Sequence, residues 1–227
     1  MNSNLPKQTS IVIIGGGIMG CSTAYHLTKN GCQDVILLER AKLTCGTTWH
    51  SAAQVRQLRS TESLTRLVQN SVNLYSNLEN ETGQATGWKE TGSLSIANNQ
   101  DRLTHIRRQA SLSRAFGIGA EEITVKKAAE KWPLMRNDDL MGAVYSPSDG
   151  RVNPSDVCAA LVKASKSRGL TVIEDTPVTG ISTKNGWVTS IQTSKGEISC
   201  EKIVNCAGIW GRKVAGMAGV AAPLHAC

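Results

Sequence analysis

No stretch of this 227-residue chain is apolar for long enough to cross a bilayer, and no charged leader followed by an apolar run opens it. Its start, Met1-Asn2-Ser3-Asn4-Leu5-Pro6, is short and polar and lacks the arginines of a transit peptide. A prokaryotic cytoplasm is the expected compartment. No C-x-x-C spacing occurs among the seven cysteines, Cys21, Cys32, Cys45, Cys158, Cys200, Cys206 and Cys227, so neither a structural zinc site nor any other metal site is expected. An odd, scattered set suits free thiols in a reducing compartment. Cys45 is a candidate reactive thiol, but a small buried filler is the better reading. Aromatic residues make up only 4%, and they do not interleave with the basic ones. The 25 Lys and Arg against 18 Asp and Glu therefore read as solvated faces, not as a nucleic-acid surface. Repeats and low-complexity tracts are also missing. The 40% hydrophobic content supports one core, or one and a half domains.

What is present is a nucleotide-binding unit. Ser10-Ile11-Val12-Ile13-Ile14 is a β-branched apolar run of the kind that forms a buried parallel strand. Gly15-Gly16-Gly17-Ile18-Met19-Gly20 follows at once and supplies G-x-G-x-x-G. Ala24, Tyr25 and Leu27 continue at helical spacing, with Gly31 as the C-terminal stop. Val35-Ile36-Leu37-Leu38 is a second strand and ends in Glu39, an acid about 20 residues past the glycines. Gly15 permits the tight turn, Gly17 lets the backbone approach a diphosphate, and Gly20 lets the helix pack against the strand. The diphosphate is expected on the helix N-terminus, where Ile18 and Met19 present main-chain N–H groups. Glu39 can accept hydrogen bonds from ribose hydroxyls. An acid at this position favours FAD or NAD over NADP, although Arg40 beside it blurs the distinction.

Of four histidines, His26 reads as packed or solvated on the first helix, and His105 lies among Arg102, Arg107 and Arg108 on a solvated face. His50 differs in its neighbours. Gly46, Thr47 and Thr48 offer N–H groups and hydroxyls near the expected diphosphate, Trp49 precedes it, and Ser51, Ala52 and Ala53 are small enough to let a bulky ring pass. Farther on, Glu62 to Glu81 carries Leu64, Leu67, Val68, Leu74 and Leu78 at helical spacing. Thr91 to Ala97 reads as a strand, and Gln100 to Phe116 and Thr124 to Lys131 as helices. Asp156 to Arg168 is a helix opened by Asn153-Pro154-Ser155. Asn185-Gly186 joins two strands as a hairpin. Lys202 to Gly208 reads as a buried strand ending in the small residues Ala207 and Gly208.

From Ile11 to Cys227 the sequence resembles the N-terminal part of the sarcosine and dimethylglycine dehydrogenases, amine- and amino-acid-oxidising flavoproteins related to D-amino-acid oxidase. The resemblance rests on IVIIGGGIMGCSTAYHL, DVILLER, LTCGTTWHSA, ETGQATGWKETGSLSIA, YSPSDGRVNPSDV, TPVTGI and IVNCAGIWGRKVAGMAGV, in order over nearly the whole chain. CGTTWH and Gln57-Leu58-Arg59 bring it nearer to the sarcosine enzymes. One departure is Ala53, where the family usually has glycine.

The resemblance implies an α/β chain: a Rossmann-like FAD-binding domain of the D-amino-acid-oxidase type with part of an inserted α+β substrate domain. FAD-binding segments would span 1–90 and 147–219, a partial substrate or cap domain 91–146, and the start of a truncated substrate domain 220–227. FAD would be bonded to His50 through its 8α-methyl carbon, with Val178 meeting the adenine through its backbone and Trp210 lining the flavin region. The implied reaction is oxidation of the N-methyl group of a small N-methylated amino acid, by hydride transfer to flavin N5, with formaldehyde released or the carbon passed to tetrahydrofolate. Tetrahydrofolate would bind only in a region that relatives carry beyond this chain. An electron-transfer flavoprotein would accept the electrons, and animal relatives act in the mitochondrial matrix. No catalytic residue is identified within these residues, because those holding a substrate carboxylate are expected farther on. Two other readings stay open: a non-enzymatic regulatory subunit of pyruvate dehydrogenase phosphatase, which lacks the histidine of TWH, and an amino-acid oxidase with non-covalent FAD, which lacks the TWH signature.

Overall fold

The computed structural model describes residues 5–225. The polar start at Met1–Asn4 and the thiol of Cys227 lie outside them. In chain order the elements are β1 (Gln8–Ile14), α1 (Ile18–Lys29), β2 (Val35–Leu38), β3 (Gln54–Val55), α2 (Glu62–Thr82), β4 (Ser93–Ala97) and α3 (Gln100–Ala115). There follow β5 (Glu121–Ile123), α4 (Val125–Lys131), β6 (Gly142–Ser146), β7 (Gly150–Arg151), α5 (Pro154–Lys166) and β8 (Leu170–Ile173). The last are β9 (Val178–Lys184), β10 (Trp187–Thr193), β11 (Gly196–Asn205), a 3-10 turn at Gly208–Trp210, and α6 (Gly211–Met217). Two compact units result: one from Met1–Ala52, Leu78–Thr86 and Pro154–Cys227, the other from Ala53–Asn77 and Gly87–Asn153.

The first unit is built on a six-stranded sheet of order β8-β2-β1-β11-β10-β9. Strands β8, β2, β1 and β11 run parallel, and β10 and β9 extend the sheet as antiparallel hairpins. Helices cover parallel strands on both faces, so their sequences are apolar throughout. All four residues of β2 are buried, as are Val12, Ile13 and Ile14 of β1. The core joins these to Ile191, Ile198, Cys200 and Val214. Small residues of α1, among them Gly20, Cys21 and Ala24, are buried where α1 packs on α5. Pro154 is the first residue of α5, where its missing N–H costs no helical hydrogen bond.

Local signals act where expected. Gly31, at φ +93°, follows the C-cap Asn30, and the Gly31 and Cys32 N–H groups donate to the Thr28 and Leu27 carbonyls at 3.1 and 3.0 Å. Asn185 and Gly186, at φ +53° and +80°, join β9 to β10. Strand β11 departs from expectation. It begins earlier, at Gly196, and its C-terminal half is not fully buried: Lys202 and Asn205 are exposed, and Ile203 and Val204 only half covered. This half flanks the open end of β1 and is not roofed on both faces.

The second unit contains a three-stranded antiparallel sheet, β4-β6-β5, and the short pair β3-β7. Leu103, Ile106 and Ala110 of α3 pack with Ala97, Ala120 and Val144, and Ala128 of α4 packs with Ile123 and Ala143. Buried Asp149 accepts from the Gln57 N–H at 2.8 Å and the Ser93 hydroxyl at 2.6 Å, and so fixes a turn. Leu78 of α2 is fully buried, whereas Leu64 and Leu67 are exposed despite their helical spacing.

A polar network braces the C-terminal end of α1. Fully buried Tyr25 donates to Glu81 Oε2 at 2.7 Å, Lys29 Nζ donates to the Tyr25 hydroxyl at 3.0 Å, and Arg168 Nη2 donates to Glu81 Oε1 at 2.6 Å. Desolvation pushes the Glu81 carboxyl up, but the Arg168 and Tyr25 hydrogen bonds outweigh it and hold the carboxyl below the usual range. A carboxyl depressed in the folded state contributes stability above its unfolded value of about 4.3, and that contribution is lost as the pH falls through the folded value. Thermal melts of the parent at pH 7, 5, 4 and 3 are therefore expected to show stability falling at the acid end. Glu81→Gln should flatten that fall. Identical pH slopes in parent and variant would refute the role given to Glu81.

Candidate functional site

Strand β1 lies between β2 and β11, and the chain leaves its carboxyl end in opposite directions. Ligands of open α/β sheets bind in the crevice at such a point. The turn that follows is tightly held. Gly15, at φ +110°, donates its N–H to the Leu38 carbonyl at 2.9 Å, and a Cβ there would lie 2.4 Å from the Cys206 carbonyl oxygen. A Cβ on Gly20 would lie 1.8 Å from the Gly15 carbonyl oxygen, so α1 backs directly onto the turn. The first turn of α1 has no acidic side chain. Its positive pole faces the crevice without an internal counter-charge.

Glu39 is 8% exposed. Its Oε2 accepts from the Gly16 N–H at 2.7 Å and its Oε1 from the Ala41 N–H at 3.0 Å. Main-chain bonds from Glu39 N–H to the Ile173 carbonyl and from Thr176 N–H to the Glu39 carbonyl, at 3.0 and 2.9 Å, bring the approach to β9 alongside. Val178 opens that strand, partly buried against the core. Sequence reasoning passed over Gly16, where a Cβ would meet Leu43 Cδ2 at 2.6 Å and Glu39 Cβ at 3.0 Å. The triple glycine was the available signal.

The loop from Leu43 to Ala52 is anchored at two points of the glycine turn. Thr44 N–H donates to the Gly16 carbonyl at 2.9 Å, and the Ile18 N–H donates to Thr48 Oγ1 at 3.0 Å. Ser51 N–H closes back on the Thr48 carbonyl at 3.2 Å. Thr47 and Ser51 are exposed and Gly46 half-buried. Trp49 and His50 are exposed, their rings 4.4 Å apart and tilted by 42°. Met19 is 68% exposed, while Ile18 is partly buried. On the opposite wall stand Ala207, Gly208 at φ +55°, and Trp210, whose ring carries the Arg40 guanidinium at 3.7 Å. Cys45 corrects the expectation of a buried filler: it is exposed, because its run of turns leaves one side open, and its Sγ lies 3.9 Å from Glu39 Oε1.

The donor set fits a dinucleotide: main-chain N–H groups at a helix N-terminus, a buried carboxylate at the end of β2, hydroxyls and small residues. At Gly17 a Cβ would sit 2.8 Å from Thr48 Oγ1, so glycine keeps the approach to the N–H groups open. No group of three or more His, Cys, Asp or Glu able to hold a metal occurs among the described residues. Nor is any of their helices long and apolar enough to cross a membrane.

Fold and crevice together define a nucleotide-binding α/β protein of the oxidoreductase kind. The family described as FAD dependent oxidoreductase matches residues 10–227, and the chain belongs to it. It is 42% identical to mitochondrial sarcosine dehydrogenase of Mus musculus, over 98% of this chain and 25% of that protein. It is equally, 42%, identical to the mitochondrial pyruvate dehydrogenase phosphatase regulatory subunit of Mus musculus, over 98% of this chain and 26% of that one. Mitochondrial dimethylglycine dehydrogenase of Rattus norvegicus is 34% identical over 96% of this chain and 25% of its own length. The chain thus spans about a quarter of the length of these relatives. Among solved structures, L-proline dehydrogenase from P.horikoshii superposes with a TM-score of 0.89 at 29% identity, covering 95% of this chain and 57% of that one.

Two expectations follow from the site. Glu39→Ala leaves two main-chain N–H groups without their acceptor, which costs about 2 kcal/mol of stability even without flavin; chemical denaturation of the flavin-free protein measures it. Parental stability would mean the carboxylate serves ligand alone. Ala53, which departs from the family's glycine, stands at φ +59°. That conformation costs a side-chain-bearing residue about 1–2 kcal/mol, and a glycine gives back part of the gain through its freer unfolded chain. Ala53→Gly should therefore raise stability by about 0.5–1 kcal/mol in the same assay. A loss of stability would rule this strain out.

Proposed function

We propose that this chain is the FAD-binding part of a dehydrogenase acting on a small N-methylated amino acid, with the flavin bonded to His50. The observation that carries the reading is the position of His50: exposed, and on a loop tied at Thr44 and Thr48 to the same glycine turn that frames the α1 N-terminus. Bound FAD would supply a two-electron acceptor for a C–H bond of the substrate's N-methyl group. The chain's own residues bind and orient. Gly15, Gly17, Ile18, Met19 and Gly20 present main-chain groups to the diphosphate. Glu39 keeps lone pairs for the ribose hydroxyls beyond its two main-chain donors. Gly46, Thr47, Thr48 and Ser51 line the route to the flavin, and Trp49 packs against His50. Ala207 and Gly208 allow close main-chain approach, and Val178 meets the adenine through its backbone. His50 is a tether and redox tuner, not an acid or base. FAD-binding segments 1–90 and 147–219 would frame a substrate segment at 91–146.

Sarcosine is the favoured substrate over dimethylglycine, on the likeness at Cys45–His50 and Gln57–Arg59. One methyl in a pocket is worth only about 1–3 kcal/mol, so the preference is easily inverted. An electron-transfer flavoprotein is the proposed acceptor, with the matrix or a prokaryotic cytoplasm as compartment. Tetrahydrofolate would be held outside these residues. The equal identity to the phosphatase regulatory subunit favours a second, non-enzymatic reading. Retention of His50 argues for the first.

Acid precipitation of the purified protein is expected to carry flavin with the polypeptide, and mass spectrometry to find it on the peptide containing His50. His50→Ala should release all flavin to the supernatant. Flavin that stays with the His50→Ala polypeptide would put the tether elsewhere, and a parent that binds no FAD would favour the regulatory reading. Ranking kcat/KM for sarcosine, dimethylglycine and glycine betaine tests the substrate.

A further inference from the structure

Arg40 and Trp210 stand at the ends of the two strands that flank β1. Arg40 lies two residues beyond β2, and Trp210 closes the 3-10 turn that follows β11. Two strand spacings, about 10 Å, separate those strands. Their side chains nevertheless meet, with the guanidinium carbon 3.7 Å from the indole centroid, so the pair joins the two walls of the crevice across the end of β1. Gly46 packs against the same indole: a Cβ there would lie 3.9 Å from Trp210 Cζ3.

The pairing has an electrostatic peculiarity. Lys42, two residues on, is matched by Glu174 and Asp175 at 3.4 and 2.7 Å. Arg40 has no carboxylate or hydrogen-bond partner among the described residues; its one recorded contact is the indole face. A guanidinium held by its face keeps its edge donors free, in a planar fork that suits phosphate oxygens. The diphosphate of a dinucleotide carries about two negative charges, while the helix N-terminus supplies about half a positive one. A second, fixed cation is what such an anion lacks here.

We propose that Arg40 is an anion fork for the diphosphate of the bound dinucleotide, and that Trp210 is a positioning residue that holds Arg40 in place. This rests on the FAD reading above, but is tested without flavin turnover. The probe is ADP, which carries the diphosphate and forms no covalent link, titrated calorimetrically into the flavin-free protein. Arg40 is exposed and Trp210 is 37% exposed, so substitutions at either leave the core intact. Arg40→Ala and Trp210→Leu should each weaken ADP binding by about tenfold. Trp210→Phe, which keeps an aromatic face, should bind like the parent. The Arg40→Ala, Trp210→Leu double variant should be no weaker than either single one, because both remove the same contact. Added salt should weaken ADP binding more in the parent than in Arg40→Ala. Additive losses, parental binding by Trp210→Leu, or a Trp210→Phe as weak as Trp210→Leu would each overturn the positioning role. Parental binding by Arg40→Ala would overturn the fork. A parent that binds neither ADP nor FAD would overturn the FAD reading itself, and this inference with it.

Discussion

The structure of the first unit depends on how closely three stretches of main chain approach at the end of β1. Gly15 lies against the Cys206 carbonyl, and Gly20 against the carbonyl of Gly15. Any side chain at Gly20 would displace α1 from the sheet, and one at Gly15 would separate β1 from β11. Opening either gap would misdirect the free N–H groups of the helix and break the mouth of the crevice. Packing and ligand geometry are thus one constraint. The residues that form the anion-facing surface are the same ones that allow the sheet to close.

Glu39 ties a second layer to the first. A carboxylate at the end of β2 reads, from sequence, as a ribose acceptor. In the fold it also satisfies the N–H groups of Gly16 and Ala41. Leaving those buried donors empty would cost on the order of the net value of several ordinary hydrogen bonds. Its stability contribution is present before any ligand arrives, so the glycine turn is preorganised, not assembled around the cofactor.

Much of this was legible because short-range rules dominate it. Val12–Ile14 and Val35–Leu38 are continuous apolar runs, Gly31 ends α1, Pro154 opens α5 and Asn185-Gly186 turns a hairpin, each by a local mechanism. Strands β3, β5, β7 and β8 were not legible. With two to four residues each, they carry no measurable periodicity and owe their form to pairing with distant partners. Main-chain donors leave no mark in a sequence, so the inward bonds of Glu39 were invisible, as was the attachment of Arg40 to Trp210 across 170 positions. Ala53 was noticed as a departure from the family's glycine, but its left-handed backbone came only with the structure. The exposure of Cys45 was misjudged because a thiol's burial depends on the path of its loop.

Strand β1 is the first element to be synthesised and pairs with β11 in parallel register, Gln8 with Ser199 and Ile14 with Asn205. Nearly the whole described chain must leave the ribosome before that partner exists. In the interval β1 and β2 present an apolar, unpaired edge. Closing so long a loop is entropically cheap per added residue but slow, as high contact order dictates. Biogenesis of this protein therefore has a vulnerable period set by topology. Until β11 docks there is no crevice, so cofactor cannot protect the nascent chain during it, and chaperones are the available safeguard.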